Sequence, residues 1–256
     1  MKRLLLLSWL AATAPLLLVP AAAQAESAVV QEAGEEPAVE PQAVAALQRM
    51  SSYLASLQTA QITSEGSLDI VTEDGQRIQV DGVTSYKIRR PGFVIDFVSD
   101  AKTRRFIYDG KQFTIFAPKL GYYATVPAPA TNKEVFDLIY EKYGIRLPLE
   151  DLVSWNDAQR AKSLTSGYLV GTATLGGIPT DHYAFREKGI DWEIWIQQGD
   201  QPLARKLVIV DQTDPARPTF IARLQWKVNP PLADGEFAFV ADKNAKRVDI
   251  ATYKGE

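Results

Sequence analysis

His182 is the single histidine of the chain, and there is no cysteine, so imidazole chemistry has one address and thiolate chemistry has none. His182 stands in the run Ile178 to Phe185, between Asp181 and Tyr183. A serine or threonine nucleophile would need it as base, and no Gly-x-Ser-x-Gly elbow accompanies it. The alternation of the run points instead to an outward-facing strand histidine. Zinc takes three or four His, Cys or carboxylate ligands, a set that one His without Cys does not supply in a usual form. Asp211, Asp214 and Asp234 lack the glycine and terminal glutamate of a calcium loop and read as polar turns. Carboxylate pairs for glycoside hydrolysis are defined in space and leave no spacing to read. Neither Gly-x-Gly-x-x-Gly nor a Walker pattern occurs. The expectation is no catalytic residue, no metal and no cofactor, with a hydrolase the third of three readings.

Two basic pairs, Arg89-Arg90 and Arg104-Arg105, fall in strand-like segments. They suit either a phosphate headgroup at the mouth of a cavity or a solvated strand edge carrying gatekeeping charges.

The first 25 residues have the form of an export signal. Lys2 and Arg3 precede an apolar run from Leu4 to Val19, and Ala23-Gln24-Ala25 offers the small-x-small pattern of a cleavage site. Cleavage after Ala25 and a periplasmic location are expected. Pro15, Pro20 and the cleavage pattern argue against an uncleaved anchor. Without cysteine there is no lipidation site after the signal, so release as a soluble polypeptide is expected. Removing Lys2 and Arg3 leaves 26 basic against 31 acidic residues, a formal charge of −5, which disfavours nucleic acid. From Glu26 to Glu256 there are enough residues for one large core without disulfides.

Residues 26–40 are mostly Ala, Glu, Val and Pro without a basic residue and read as a flexible acidic leader. Pro41 then suits a first helical position, and Val44, Leu47, Met50, Leu54 and Leu57 form one apolar stripe on a helix of about five turns. From Gln61 the period shortens to two, and Asp74-Gly75, Asp109-Gly110, Gly176-Gly177 and Gly199-Asp200 mark hairpin turns. With Asp109-Gly110 at the centre of a two-residue turn, Tyr108 faces Lys111 and Phe106 faces Phe113. Phe93, Ile95 and Phe97, Trp192, Ile194 and Ile196, and Phe220 to Val228 alternate in the same way. Thr131 and Glu134 have capping-box spacing before a stripe of Phe136, Ile139, Tyr140 and Tyr143 ending at Gly144. Pro148 opens a second helical stretch through Leu149, Leu152 and Val153. One domain is expected over 41–256, of the α+β class: a curved antiparallel sheet, an unclosed half-barrel, with helices packed on the concave face.

The same alternating aromatic pattern serves a closed core and an open lipid cavity. The order of features resembles the lipoprotein-carrier (LolA/LolB-like) superfamily, and more closely an uncharacterised family of predicted bacterial periplasmic proteins within it. The likeness rests on Ile88-Arg89-Arg90-Pro91-Gly92-Phe93, on Tyr108-Asp109-Gly110-Lys111 and on Pro148-Leu149-Glu150-Asp151-Leu152. Leu224-Gln225-Trp226 with Asn229-Pro230, then Phe237-Ala238-Phe239, extend it over about 200 residues. The resemblance implies a half-barrel with lid helices over a cavity for lipid or acyl chains. Phe93, Ile95, Phe97, Phe106, Phe113, Ile115, Trp192 and Ile194 would then line the cavity, and Phe136 and Ile139 would sit on the lid. A monomer that binds or carries an apolar ligand is the first reading. A periplasmic sensor or interaction module that recognises an envelope protein is the second.

Overall fold

The computed structural model describes residues 38–252 except 101, 146, 148–151, 153, 154, 156 and 157, all within one compact unit, Glu36–Glu256. The expected export signal, most of the leader and most of the helical stretch from Pro148 lie outside the described residues. Among those described, no helix is long and apolar enough to cross a membrane.

Helix α1 (Pro41–Ser56) starts with proline at its first turn, where an N–H has no intrahelical acceptor anyway. It buries Ala43, Ala46, Leu47, Met50 and Leu54, spaced by three and four, on one face. Just before it, Val39 bridges Gly167, and two backbone bonds tie residues 38–40 to the same strand, so the leader is anchored at its end.

Twelve strands form one sheet: β1 (Thr59–Val71), β2 (Arg77–Arg89), β3 (Phe93–Ser99), β4 (Thr103–Tyr108), β5 (Gln112–Ala117), β6 (Tyr122–Pro127), β7 (Ser166–Leu175), β8 (Ile178–Glu187), β9 (Ile190–Gln197), β10 (Ala204–Asp211), β11 (Thr219–Val228) and β12 (Lys246–Arg247). Their order is β12-β6-β5-β4-β3-β2-β1-β11-β10-β9-β8-β7. Two antiparallel meanders, β1–β6 and β7–β11, therefore join through the β1–β11 pair, and β12 runs parallel to β6. The sheet is unclosed and curves around the helices, as expected.

The hairpin turns follow the glycines, with one change of register. Gly176-Gly177 join Leu175 to its partner Ile178 with both φ angles positive, at 55° and 82°. At β4–β5, Tyr108 faces Phe113 and Phe106 faces Ile115 instead of the expected Lys111 and Phe113. The side chain of Asp109 is the cause: its Oδ1 accepts from the N–H groups of Lys111 and Gln112, both at 2.8 Å, which places Asp109 at the start of the turn. A slip of two keeps every side chain on its expected face. Phe106 and Phe113 still stack diagonally, with centroids 6.3 Å apart.

Helix α2 (Asn132–Tyr143) has the capping box of Thr131 and Glu134 and ends at Gly144 in the left-handed region. Val135 and Ile139 are its buried residues, whereas Tyr140 of the expected stripe is exposed. Asn132 fixes α2 to the sheet, accepting from Gly92 N at 2.8 Å and donating to Arg89 O at 3.0 Å. A short helix α3 (Ala158–Ala161) precedes β7.

After β11 the chain crosses the convex face as an arm. Asn229 turns it by accepting from Gln58 N and Thr59 N. Phe237, in a 3-10 turn (Asp234–Phe237), is fully buried against Val94 and Ile107 in a second, smaller core, with Leu232 and Phe239 beside it. Phe239 reaches Phe116 and Tyr123, and β12 then pairs with β6.

Candidate ligand-binding face

Even-numbered residues of β1 and β2 point to the concave side, because Ala60, Ile62 and Tyr86 pack in one cluster with α1. Continuous pairing carries that assignment along both strands and into β3 and β11.

The concave face divides into a covered and an uncovered part. In the covered part, α1, α2, Leu147, Leu152, Trp155 and Leu164 pack on the sheet. Phe93, Ile95, Phe113, Ile139, Trp192 and Ile194 are buried there, and Phe106, Ile115 and Phe136 are half-buried against them. The ring of Phe136 stacks on that of Phe93, with centroids 5.2 Å apart, and Trp155 lies 5.1 Å from Trp192, which stacks on Phe185. Nine of the ten residues expected to contact a ligand thus meet in one cluster, in which the lid side chains already touch the sheet. The tenth, Phe97, stands apart on the uncovered part.

That part was not singled out from the sequence. Leu68, Ile70 and Ile78 continue the concave face toward the β1–β2 turn and are 47%, 44% and 46% exposed. Paired positions join Trp192, Ile209, Phe220, Leu68 and Val80 into one apolar row across five strands. In the next row but one, Leu224, Ser64, Thr84 and Phe97 are successive partners. Between these rows Gly66 faces Gly82. A Cβ on Gly66 would come 3.4 Å from Cε2 of Phe220, and one on Gly82 would come 3.3 Å from Cε2 of Phe97, so both rings lie over the missing side chains. The signal was present in Leu68-x-Ile70 and Ile78-x-Val80 on either side of Asp74-Gly75.

Few polar atoms interrupt this face. Ser64 and Thr84 are buried, and the hydroxyl of buried Tyr86 makes no well-formed hydrogen bond among the described residues, interacting only weakly with the Thr84 side chain. Burial raises the Tyr86 pKa and keeps the phenol neutral. A polar recess of about 70 Å³ lies beside α1, lined by Arg49, Asp181, Tyr183 and Gln198 among others. On the convex side, Gln61, Thr63, Ser85, Lys87, Gln225 and Lys227 line a groove of about 300 Å³.

The basic pairs divide between the two faces. Arg89 lies 4.2 Å over the Phe237 ring and pairs with Asp234, while Arg90 donates to Leu54 O at 3.2 Å and satisfies the end of α1. Arg105 pairs with Asp96 on the convex face at 3.3 Å; Arg104, on the concave face, donates to Thr103 O.

His182 is an outward strand residue. Its Nε2 lies 2.7 Å from Glu193 Oε2, and its ring stacks on Trp195 at 3.8 Å. No serine or threonine hydroxyl is hydrogen-bonded to it among the described residues, so the His182–Glu193 pair has no nucleophile to activate. No cluster of three His, Asp or Glu able to hold a metal occurs among the described residues.

The chain belongs to the family described as predicted periplasmic protein (DUF2092), whose profile matches residues 43–251. No curated protein matches it. Among solved structures it is similar to an uncharacterized conserved protein from Thermus thermophilus, at 12% identity over 81% of this chain and 99% of that one, with a TM-score of 0.49. Lipoprotein LppX of Mycobacterium tuberculosis matches at 12% identity over 76% and 98% of the two chains, with a TM-score of 0.40. A LolA superfamily protein from Nitrosomonas europaea matches at 9% identity over 77% and 97%, with a TM-score of 0.36.

Proposed function

We propose that this protein binds a lipid or another apolar ligand on its concave face and carries it in the periplasm, without catalysing a reaction. The observation that supports this is the exposed apolar surface of Leu68, Ile70 and Ile78 beside half-buried Val80 and Phe220, continuous with the core under α1. A sheet face of this kind leaves apolar surface in water unless something covers it. Each methylene a ligand buries contributes about 0.8 kcal/mol, so an acyl chain gains several kcal/mol before ordering costs. Phe97 stands at the edge of this surface. Phe93, Ile95, Phe106, Phe113, Ile115, Trp192 and Ile194 would line the continuation of the site, reached when Phe136 and Ile139 of α2 move off the sheet.

The test is native mass spectrometry with solvent extraction on the exported chain, purified without detergent. A co-purified lipid near one per chain is the expected result, and a bare mass that also fails to take up fatty acid would overturn the reading.

A second reading has its own observation. Tyr168, Leu169 and Val170 on edge strand β7 are exposed at 47%, 37% and 49%. An envelope polypeptide could add a strand there. Crosslinking from Val170 to one specific protein, with no lipid bound, would favour it.

A further inference from the structure

Among cationic side chains near the uncovered surface, Arg104 is placed unlike the others. It lies in β4 on the same face as Phe106 and Tyr108, and its partner across the ladder is Phe97. Its side chain is half-buried, and it donates to the backbone of its own neighbour, Thr103 O, at 2.8 Å. Arg77, Arg89, Arg105, Arg160, Arg186 and Arg217 each lie within salt-bridge distance of a carboxylate; Arg104, like Arg49, Arg90, Arg205, Arg223 and Arg247, has no such partner among the described residues, and what sets it apart is its place beside Phe97 on the concave face. A 3-10 turn (Pro118–Leu120) that carries Lys119 contacts β4, and Asp100 is the carboxylate of the β3–β4 turn.

We propose that Arg104 holds the anionic head of a single-chain lipid whose acyl tail lies across Phe97, Val80, Leu68 and Phe220. This rests on the apolar-ligand reading above and names the ligand class: a long chain ending in a carboxylate or phosphate. The dimensions agree. From β4 to β11 is four strand spacings, about 19 Å, and the four-residue step from the Phe97 row to the Val80 row adds about 13 Å along the strands, so the path is about 23 Å, the length of a long-chain fatty acid with its head. The chemistry agrees as well. A guanidinium with free donors beside an apolar surface makes charge-assisted, bidentate bonds to carboxylate or phosphate, and the neighbouring aromatic ring strengthens them by excluding water. Gly66 and Gly82 leave the middle of this path without side chains, so a chain that displaces the Phe97 and Phe220 rings reaches down to the sheet backbone.

The test is equilibrium dialysis of the full exported chain against palmitate, hexadecyl phosphate and hexadecanol, which share a tail and differ in the head. Palmitate, hexadecyl phosphate or both should bind on the order of ten-fold more tightly than hexadecanol, and Arg104→Gln should bring them to the hexadecanol level while leaving hexadecanol unchanged. Comparing the two anions tells whether the head is a carboxylate or a phosphate. Leu68→Asp, at an exposed position, should weaken all three. Equal affinity for all three in the wild-type chain overturns the role of Arg104 and leaves the apolar-ligand reading standing, whether or not Arg104→Gln folds. No binding of any of them overturns both. Inorganic phosphate that binds as tightly as hexadecyl phosphate would also overturn the proposal, since the tail would then contribute nothing.

Discussion

Gly66 and Gly82 face each other across β1 and β2, and each has an aromatic ring, Phe220 or Phe97, lying where its side chain would project. The two glycines let the rings rest on the sheet backbone, and the rings cover backbone that a strand glycine leaves open to water. A methyl group at Gly66 would stand 3.0 Å from Ile221 O, a backbone atom held in the β1–β11 ladder, as well as 3.4 Å from the Phe220 ring. Gly66→Ala should therefore destabilise the fold by about 1–3 kcal/mol, the range of small overpacking changes. Urea unfolding with an unchanged slope measures it. A variant as stable as wild type would show that the strands part easily here.

Two buried tyrosines on the concave face make opposite predictions for the same substitution. Tyr108 donates its hydroxyl to Pro129 O at 2.5 Å, whereas the Tyr86 hydroxyl makes no well-formed hydrogen bond among the described residues and has only a weak interaction with the Thr84 side chain. Tyr108→Phe should cost about 0.5–1.5 kcal/mol, while Tyr86→Phe should be neutral or stabilising, because it removes a buried group left unsatisfied. Thermal unfolding of the two variants side by side decides the matter. A loss for Tyr86→Phe as large as that for Tyr108→Phe would mean that the Tyr86 hydroxyl is satisfied.

How much of this was readable in advance depended on whether the determinant was local. The first helix, the capped helix from Asn132, the glycine turns and the inward faces of the strands rest on spacings within ten or so residues, and they appear as expected. The register of the β4–β5 hairpin depended on which turn position Asp109 takes, a choice between two local hydrogen-bond patterns that the Asp-Gly pair alone does not distinguish. The arm was not legible at all. Phe237 and Phe239 carried part of the family resemblance, but their packing on Val94, Ile107, Phe116 and Tyr123 joins residues more than a hundred positions apart. The eight strand residues among the candidate ligand contacts, Phe97 included, all lie on the concave face because alternation determines the face. Alternation does not show which part of that face the helices leave bare, so exposed Leu68, Ile70 and Ile78 were not among the candidates.

The arm gives a prediction with a defined pH dependence. Lys87 Nζ lies 2.5 Å from Glu236 Oε2, and this bond, with a second from Ala233 N, holds the Glu236 carboxyl below its ordinary value of 4.5. A carboxyl depressed in the folded state adds stability that is complete above its unfolded value and is lost as pH falls through the lowered one. Glu236→Gln should accordingly lower the melting temperature slightly at neutral pH, and the difference from wild type should shrink toward zero in acid, where wild-type Glu236 is itself protonated. Melting curves from neutral pH into acid test this. A difference that persists at the acid end would point to lost packing and not to lost charge.

Phe237 should be the largest contributor in the same arm. It is fully buried against Val94 and Ile107 and carries the Arg89 guanidinium over its ring. Phe237→Ala should cost about 3–5 kcal/mol, the range for emptying a core aromatic site. Limited proteolysis should then cut the chain after Asn229 before it cuts the strands. Uniform digestion instead would show that arm and sheet unfold as one unit.

Trp195 separates stability from binding. It points to the convex face, yet it is only 8% exposed, because neighbouring strands place His182 against its ring at 3.8 Å and the Lys206 ammonium 4.0 Å from its centroid. Burial there lowers the Lys206 pKa, as expected for an ammonium that gives up water for a ring face. Trp195→Ala should therefore destabilise the fold like a core substitution, by about 3–5 kcal/mol, although it sits on the outer surface of the sheet. Its neighbours on the concave side, Ile194 and Ile196, keep their own packing, so the surviving folded protein should bind an apolar ligand as wild type does. Leu68→Asp should show the reverse: near-normal stability, since Leu68 is half exposed, and lost binding. Measuring unfolding and lipid uptake on both variants gives a crossed result if the concave face is the site. If Trp195→Ala instead loses binding while still folded, the ligand lies on the convex face, among His182, Trp195 and Lys206.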